Sequence, residues 1–293
     1  MKILITGAQG QLAWDLINAQ QATSFECIGL SRKELDITHE DNIQSVLSEV
    51  KPNTVINVAA YTQVDRAEEE KDLAFQINGL GPQLLAKQCN TRNIPLIHVS
   101  TNYVFDGKQT QPYREEDPTH PINVYGASKL EGEIHVKNEC AQHIILRVSG
   151  LFGKHGNNFV KTMLRLFQER EELNVVDDQF ICPTPTCDIA TSIWQIIERL
   201  STATQKPQWG TYHYNSSPPV SWYQFTETLL EIARTHRSFR IQALHAISTD
   251  QFKTAAKRPL NSVLNCEKIF KVFGIEQRSW EPGLRQLIED LLR

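Results

Sequence analysis

The chain has 293 residues, of which 40% are hydrophobic and 22% charged, and a formal net charge of −4. That composition belongs to a globular protein with enough chain to bury a large core, and its acidic balance carries no electrostatic footprint for nucleic acid. No apolar run is long enough to span a bilayer, the opening residues are interrupted too early for a signal peptide, and the six scattered cysteines form no Cys-x-x-Cys pair. Neither a membrane nor a nucleic acid is an expected partner, and the cytoplasm is the expected location.

In chain order, strands and helices alternate. Lys2 to Thr6 reads as a strand, Gln11 to Gln21 as a helix, and Phe25 to Leu30 as a second strand. His39 to Val50 reads as a helix with Thr38 as its N-cap. Thr54 to Val58 is a third strand. Asp72 to Arg92 has helical spacing, with Leu73, Ile77, Leu80, Leu84 and Leu85 on one side, weakened by Gly79, Gly81 and Pro82. Pro95 to Ser100 is a fourth strand, Tyr125 to Asn138 a helix and His143 to Val148 a fifth strand. The strands are apolar runs rather than alternating ones, which implies a sheet covered on both faces. The expected fold is therefore α/β, a doubly wound parallel sheet of the Rossmann type.

The second half is less regular. Asn158 to Glu171 is an amphipathic helix, Leu173 to Val176 a returning strand, and Asp188 to Leu200 a helix. Thr202 to Gln208 resembles a surface loop. Gly210 to Asn215 is a strand and Trp222 to Thr235 a helix, with short helices near 266–273 and 283–292. This pattern predicts a dinucleotide-binding core over residues 1–149, joined by returning segments near 173–177 and 210–236. Residues 150–293 then form mainly a smaller C-terminal, substrate-binding lobe.

A glycine loop, Gly7-Ala8-Gln9-Gly10-Gln11-Leu12-Ala13, follows the first strand and opens the first helix. Gly7 permits a tight turn, Gly10 lets backbone approach a pyrophosphate, and the N–H groups from Gln11 and Leu12 onward face that charge. At the end of the second strand stand Ser31, Arg32 and Lys33, where NAD-binding sheets usually carry an acid. A hydroxyl and two cations suit a 2′-phosphate, so NADPH is the expected cofactor, with NADH also usable.

Tyr125 and Lys129 lie four residues apart, so one helix face carries both. Reducing a ketone by hydride transfer leaves negative charge on oxygen, which needs a proton. A tyrosine starts near pKa ~10, and a neighbouring ammonium is expected to bring it down. Lys129 has further donors for the ribose hydroxyls. Thr101, at the end of the fourth strand, can hydrogen-bond the substrate oxygen. All three fall at or just beyond strand C-termini, where open α/β sheets bind ligands.

With these motifs the chain resembles the extended short-chain dehydrogenase/reductases and, within them, the dTDP-4-dehydrorhamnose reductases. The resemblance rests on Gly-Ala-Gln-Gly-Gln-Leu at 7–12, Leu-Asp-Ile-Thr at 35–38, Ala-Ala-Tyr-Thr-Gln-Val-Asp at 59–65 and Ser-Thr-Asn-Tyr-Val-Phe-Asp-Gly at 100–107. It continues through Tyr-Gly-Ala-Ser-Lys-Leu-Glu-Gly-Glu at 125–133, Gly-Asn-Asn-Phe at 156–159, Asp-Gln-Phe at 178–180 and Arg-Pro-Leu-Asn-Ser at 258–262. It implies reduction of the C4 ketone of a dTDP-linked 6-deoxy sugar, with Thr101, Tyr125 and Lys129 as the catalytic set. It further implies that Asp36 and Ile37 flank the adenine and that Ala59, Ala60 and Tyr61 line the cofactor cleft. Asn102, Tyr103, Asn157, Asn158 and Arg258 are then expected at the sugar nucleotide.

Three positions depart from the family pattern. Asn102 replaces an Asp, removing a charge near the reacting centre. Gly150 replaces a Trp, which should enlarge the sugar pocket, and Ile181 replaces a Gly, which should partly refill it. Some members pair as dimers through a divalent metal; Asp15, Asp188 and Asp290 fall near those positions, so Mg2+ and a homodimer stand beside a metal-free monomer. Two other activities share the fold and the Tyr/Lys pair or its scaffold, a sugar epimerase and a non-catalytic regulatory subunit. A 4,6-dehydratase would need an Asp-Glu pair where Asn102-Tyr103 stands.

Overall fold

The computed structural model describes residues 1–19, 25–202 and 208–293. The first half holds β1 (Lys2–Thr6), α1 (Gln11–Asn18), β2 (Glu26–Leu30), α2 (Glu40–Val50) and β3 (Thr54–Asn57). It continues with α3 (Val64–Ala67), α4 (Lys71–Phe75), α5 (Gly81–Thr91), β4 (Leu96–Thr101), α6 (Val124–Glu139) and β5 (His143–Val148). The second half opens with β6 (Leu151–Phe152), α7 (Phe159–Glu169), β7 (Glu172–Val176), β8 (Phe180–Ile181), β9 (Thr184–Pro185) and α8 (Thr186–Thr202). It closes with β10 (Gly210–Tyr214), β11 (Val220–Ser221), α9 (Trp222–Arg234), β12 (Ala243–Ile247), α10 (Glu267–Phe273) and α11 (Glu281–Leu292).

The main sheet has the order β10-β5-β4-β3-β1-β2, and every pairing in it is parallel. Side chains alternate between two cores, as strand geometry demands. Ile3, Ile5, Ile56, Ile97, Ile144 and Leu146 pack against α1, α8 and α10. Leu4, Val55, Leu96 and Ile145 pack against α2, α5 and α6. Both faces are covered, which is why the strands read as unbroken apolar runs. From β1 the chain goes to β2 on one side and β3 on the other, so a crevice opens above the C-terminal end of β1.

A third core joins α7, α9 and α11 through Leu164, Phe167, Phe225, Leu229, Leu284 and Ile288. Here the expected assignments need correcting. The segment near 173–177 does not return to the main sheet; β7 pairs with β12 in a separate two-stranded parallel sheet. Its first three residues are exposed or half-buried, so it lacks the double burial a strand of the main sheet requires. Of 210–236, β10 does join β5 at the sheet edge, but α9 turns its apolar face into the third core.

Local differences have local causes. The 72–92 helix is continuous in direction but contains a π-turn, Gln76–Leu80, between α4 and α5. A Cβ on Gly132 of α6 would collide with the backbone carbonyl of Asn78 in that π-turn, so glycine permits close helix packing there. Thr38 does not cap α2: His39 holds the cap position without a side-chain bond, and the Thr38 hydroxyl donates to Asp36 Oδ1 at 2.7 Å. The expected end of the first helix (Gln20 and Gln21) and most of the expected 202–208 loop lie outside the described residues.

Candidate active site

The glycine loop is shaped by what lies above it. Gly7 has φ +67°, and a Cβ there would stand 2.8 Å from the Cα of Ala59. Gly10 sits at the N-cap of α1 with no side-chain cap, so the first N–H groups of that helix face open space. Beside them Gln11 Oε1 is buried with no hydrogen-bond partner. Exposed amide donors and an orphaned acceptor around a cleft of about 1250 Å3 fit a dinucleotide.

Gly7, Gly10, Gln11, Leu12, Arg32, Asp36, Ile37, Ala59, Ala60 and Tyr61 all line that cleft. Ser31 does not. Its backbone N–H and its hydroxyl both donate to Glu34 Oε2, at 2.8 and 2.7 Å. These two bonds hold the Glu34 carboxyl below its ordinary value. Arg32 Nε donates to Asp36 Oδ2 at 3.1 Å. Burial would raise the Asp36 pKa, but bonds from Thr38 and Arg32 outweigh it and the net shift is downward. Asn78, in the π-turn, clamps the cleft wall. It accepts from Tyr61 N at 2.8 Å and donates to Tyr61 O and to Ser128 Oγ, each at 3.0 Å.

The expected catalytic residues meet in the same cleft. Asn123 caps α6 by accepting from Gly126 N at 2.7 Å, which starts the helix where Tyr125 and Lys129 share a face. The Thr101 hydroxyl lies close enough to the Tyr125 phenol to favour its ionised form. The Tyr103 ring meets that of Tyr125 edge-on, centroids 5.9 Å apart. Lys129 Nζ donates to Val99 O at 2.7 Å.

The expected acidification of Tyr125 by Lys129 is not what this geometry produces. Burial pushes the Tyr125 phenol up to about 12, against a smaller lowering from Thr101. Burial also pushes Lys129 down to about 8, with Glu133 opposing. The ammonium is turned toward a carbonyl, and desolvation favours the neutral form of both groups.

The expected sugar-nucleotide residues divide. Tyr103, Asn157 and Arg258 line the cleft, and so does Asn102. Asn102 is 3% exposed and fully engaged. It accepts from Thr101 Oγ1 at 3.2 Å and donates to Ser149 Oγ at 3.0 Å and Ser262 O at 3.1 Å. It thus ties the C-terminal segment to the end of β4. Asn158 does not line the cleft: it caps α7, accepting from Lys161 N at 3.2 Å and donating to Gly153 O at 2.7 Å. Arg258 grips Asp65 with a two-pronged bond, Nη1–Oδ1 3.1 Å and Nη2–Oδ2 2.6 Å, and Nη1 also donates to Ala256 O at 3.2 Å. Asp65 was not singled out from the sequence, although it closes the Ala59–Asp65 motif.

Gly150 does not enlarge the pocket by lacking an aromatic. Its φ is +57°, and a Cβ would lie 2.7 Å from Cys182 O, so this backbone leaves no room for a side chain. Ile181 does line the cleft, 4% exposed. Its apolar wall is completed by Phe159, Met163, Trp222 and Phe252, which sequence reasoning missed; the amphipathic stretch at 158–171 was the only signal. The three expected metal acids are not gathered in one chain. Asp188 pairs with Arg278 at 3.2 Å, Asp290 with Lys154 at 3.1 Å, and burial holds the Asp15 carboxyl above its ordinary value. Among the described residues no group of three or more His, Cys, Asp or Glu could hold a metal ion.

Residues 1–293 match the family model described as the RmlD substrate binding domain. The chain belongs to that family. A relative, the dTDP-4-dehydrorhamnose reductase of Aggregatibacter actinomycetemcomitans, is 42% identical over 288 residues, 98% of each chain. The crystal structure of a dTDP-4-dehydrorhamnose reductase from Clostridium acetobutylicum is similar at TM-score 0.92 and 36% identity, covering 100% of both chains. That of the Bacillus anthracis reductase in complex with NADP is similar at TM-score 0.90 and 38% identity, covering 99% of both.

Proposed function

We propose that the chain reduces dTDP-4-dehydrorhamnose to dTDP-L-rhamnose with NADPH, and accepts NADH as well. Family membership and relatives named for this reaction support the substrate, and a similar structure solved with NADP supports the cofactor. One observation carries the chemistry: Thr101, Tyr125 and Lys129 all line the one cleft, with Lys129 one helical turn beyond Tyr125 on α6.

NADPH held in this cleft would supply the hydride for the C4 carbonyl carbon. The N–H groups at the start of α1 would hold the pyrophosphate, and Ala59 and Ala60 would shape the wall against it. Thr101 turns its hydroxyl proton from Asn102 Oδ1 to the carbonyl oxygen and holds it in line. Tyr125 gives its hydroxyl proton to that oxygen as charge develops, and Lys129 in its charged form stabilises the phenolate left behind. Arg258, oriented by Asp65, presents its remaining donors toward the sugar-nucleotide end with Asn157 and Tyr103. Residues 1–149 with β10 serve the cofactor, and most of 150–293 serves the sugar nucleotide.

No helix among the described residues is long and apolar enough to cross a membrane. The six cysteines are free thiols, which suits a reducing compartment such as the cytoplasm. The deciding experiment supplies reduced cofactor and dTDP-4-dehydro-6-deoxy-L-mannose and follows cofactor oxidation. Stoichiometric oxidation with formation of the 4-hydroxy sugar is the expected result; no oxidation above background would reject the proposal. Cofactor that co-purifies and cycles without net oxidation would point to an epimerase instead.

A further inference from the structure

Beneath Lys129 runs a polar chain that the reaction described above does not use. Thr6 ends β1, Asn57 ends β3 and His98 lies within β4, and all three are 0% exposed. Thr6 Oγ1 is 2.6 Å from Asn57 Oδ1, Asn57 Nδ2 is 3.0 Å from His98 Nδ1, and His98 Nε2 is 3.5 Å from Lys129 Nζ.

The direction of this chain follows from its geometry. A separation of 2.6 Å suits O–H···O and is short for N–H···O. The backbone N–H of Ala59, which can only donate, already points at Thr6 Oγ1 from 3.3 Å. Thr6 therefore gives its own proton to Asn57 Oδ1. The amide then turns its NH2 group to His98 Nδ1, which must offer a lone pair. A neutral imidazole carries one N–H, so here it is at Nε2, facing Lys129. The ring is neutral because burial, with Lys129 and His143 nearby, holds it well below its ordinary value.

An ammonium has no lone pair, so it cannot accept from that N–H; a neutral amine can. The charged form of Lys129 keeps Val99 O as its acceptor, at 2.7 Å, and finds a donor where a second acceptor could have been. We propose that His98 is a positioning residue for the reduction: the Thr6–Asn57–His98 chain presents a donor to Lys129 and so lowers the pH above which the Tyr125/Lys129 pair loses its cation. This rests on the reading of Tyr125 and Lys129 given under the proposed function.

The other groups around Lys129 and His98 do not replace this effect. On α6, Glu133 favours the cation but is itself paired with Arg147 of β5 at 2.7 Å, with Lys137 at 3.7 Å. Tyr125 on the same helix is neutral below about 12. From β5, His143 adds to the lowering on His98. The strands β1 and β3 contribute only the uncharged Thr6 and Asn57.

The test uses the full chain with histidine labelled in both ring nitrogens. The 15N spectrum of His98 is expected to show Nε2 protonated and Nδ1 bare. Asn57→Asp leaves only acceptors opposite Nδ1, so the proton moves to Nδ1 and Nε2 offers its lone pair to the ammonium. The alkaline limb of the kcat profile is then expected to move up by about one pH unit. Thr6→Val adds no charge but removes the proton that orients the amide; the limb should move the same way by less. An Nδ1-protonated ring in the unsubstituted protein would overturn the proposal. So would a kcat lowered equally at every pH with the limb unmoved in either variant that folds. If Tyr125→Phe kept full turnover, the catalytic reading would fail, whereas the 15N spectrum would still report the tautomer independently.

Discussion

Arg147 and Glu133 form a two-pronged ion pair, Nε–Oε1 2.8 Å and Nη2–Oε2 2.7 Å, with side chains 1% and 0% exposed. The pair joins β5 to α6 and so fixes the helix that carries Tyr125 and Lys129. The Arg147 guanidinium also lies 5.0 Å over the Phe105 ring. Glu133→Gln leaves a buried guanidinium without its counter-charge and is expected to cost about 3–5 kcal/mol, read by denaturant unfolding. Burial would raise the Glu133 pKa, but Arg147 outweighs it and the net shift is downward from 4.5. A depressed native value means the carboxylate's contribution is present above the unfolded value and lost as pH falls below it. The wild-type protein should therefore lose stability on acidification below pH 4.5, and the Gln variant should lose less over the same interval. Equal acid sensitivity would remove Glu133 as the source.

Tyr125→Phe removes the proposed proton donor while keeping the ring that packs edge-on against Tyr103. General acid catalysis is worth about 10²–10⁴-fold, so kcat should fall by at least that lower figure. Cofactor affinity, measured by fluorescence titration, should stay within about twofold because the phenol contributes little ground-state binding. A near-normal rate would reject the assignment.

Gly7→Ala forces a side chain into positive φ and brings its Cβ to 2.8 Å from Ala59 Cα. The strain is of order 1–3 kcal/mol, and relieving it displaces the loop proposed to hold the pyrophosphate. Cofactor affinity should drop by about tenfold or more, which corresponds to ~1.4 kcal/mol. Unchanged affinity would mean the loop is not the phosphate site.

Asp65→Asn removes the charge that orients Arg258, whose side chain is 22% exposed against 45% for Asp65. A partly solvated pair contributes about 0–1 kcal/mol to stability, so the melting temperature should change little. The Michaelis constant for the sugar nucleotide should rise several-fold while that for NADPH holds. A large loss of stability with unchanged kinetics would make Asp65–Arg258 a purely structural tie.

Much of the site was legible because its chemistry is local. The Gly7–Ala13 loop announces a strand, a turn and a helix in seven residues, and the spacing of Tyr125 and Lys129 needs only helical periodicity. Asn158 shows the limit of such reading. It stands beside Asn157 in one motif, yet one side chain reaches the cleft and the other caps α7. Ser31 shows the same limit: the partner that withdraws it, Glu34, is three residues away, but only the turn between them brings the carboxylate onto its N–H and hydroxyl. Gly150 and Cys182 are 32 residues apart, and no pattern announces that one's carbonyl fills the space of the other's missing Cβ.

By itself the sequence determined the order of the main-sheet strands and their covering helices, the parallel covered sheet and the residue types that can bind a dinucleotide and donate a proton. These follow from periodicity and turn chemistry, which act over a few residues. Only the tertiary structure decided which side chains lose their water and what faces them once they do. That is why Tyr125 is pushed up rather than down, why β7 leaves the main sheet, and why a threonine, an asparagine and a histidine from three strands meet a lysine from a helix. Desolvation and hydrogen-bond direction depend on neighbours far away in sequence, and no local pattern encodes them.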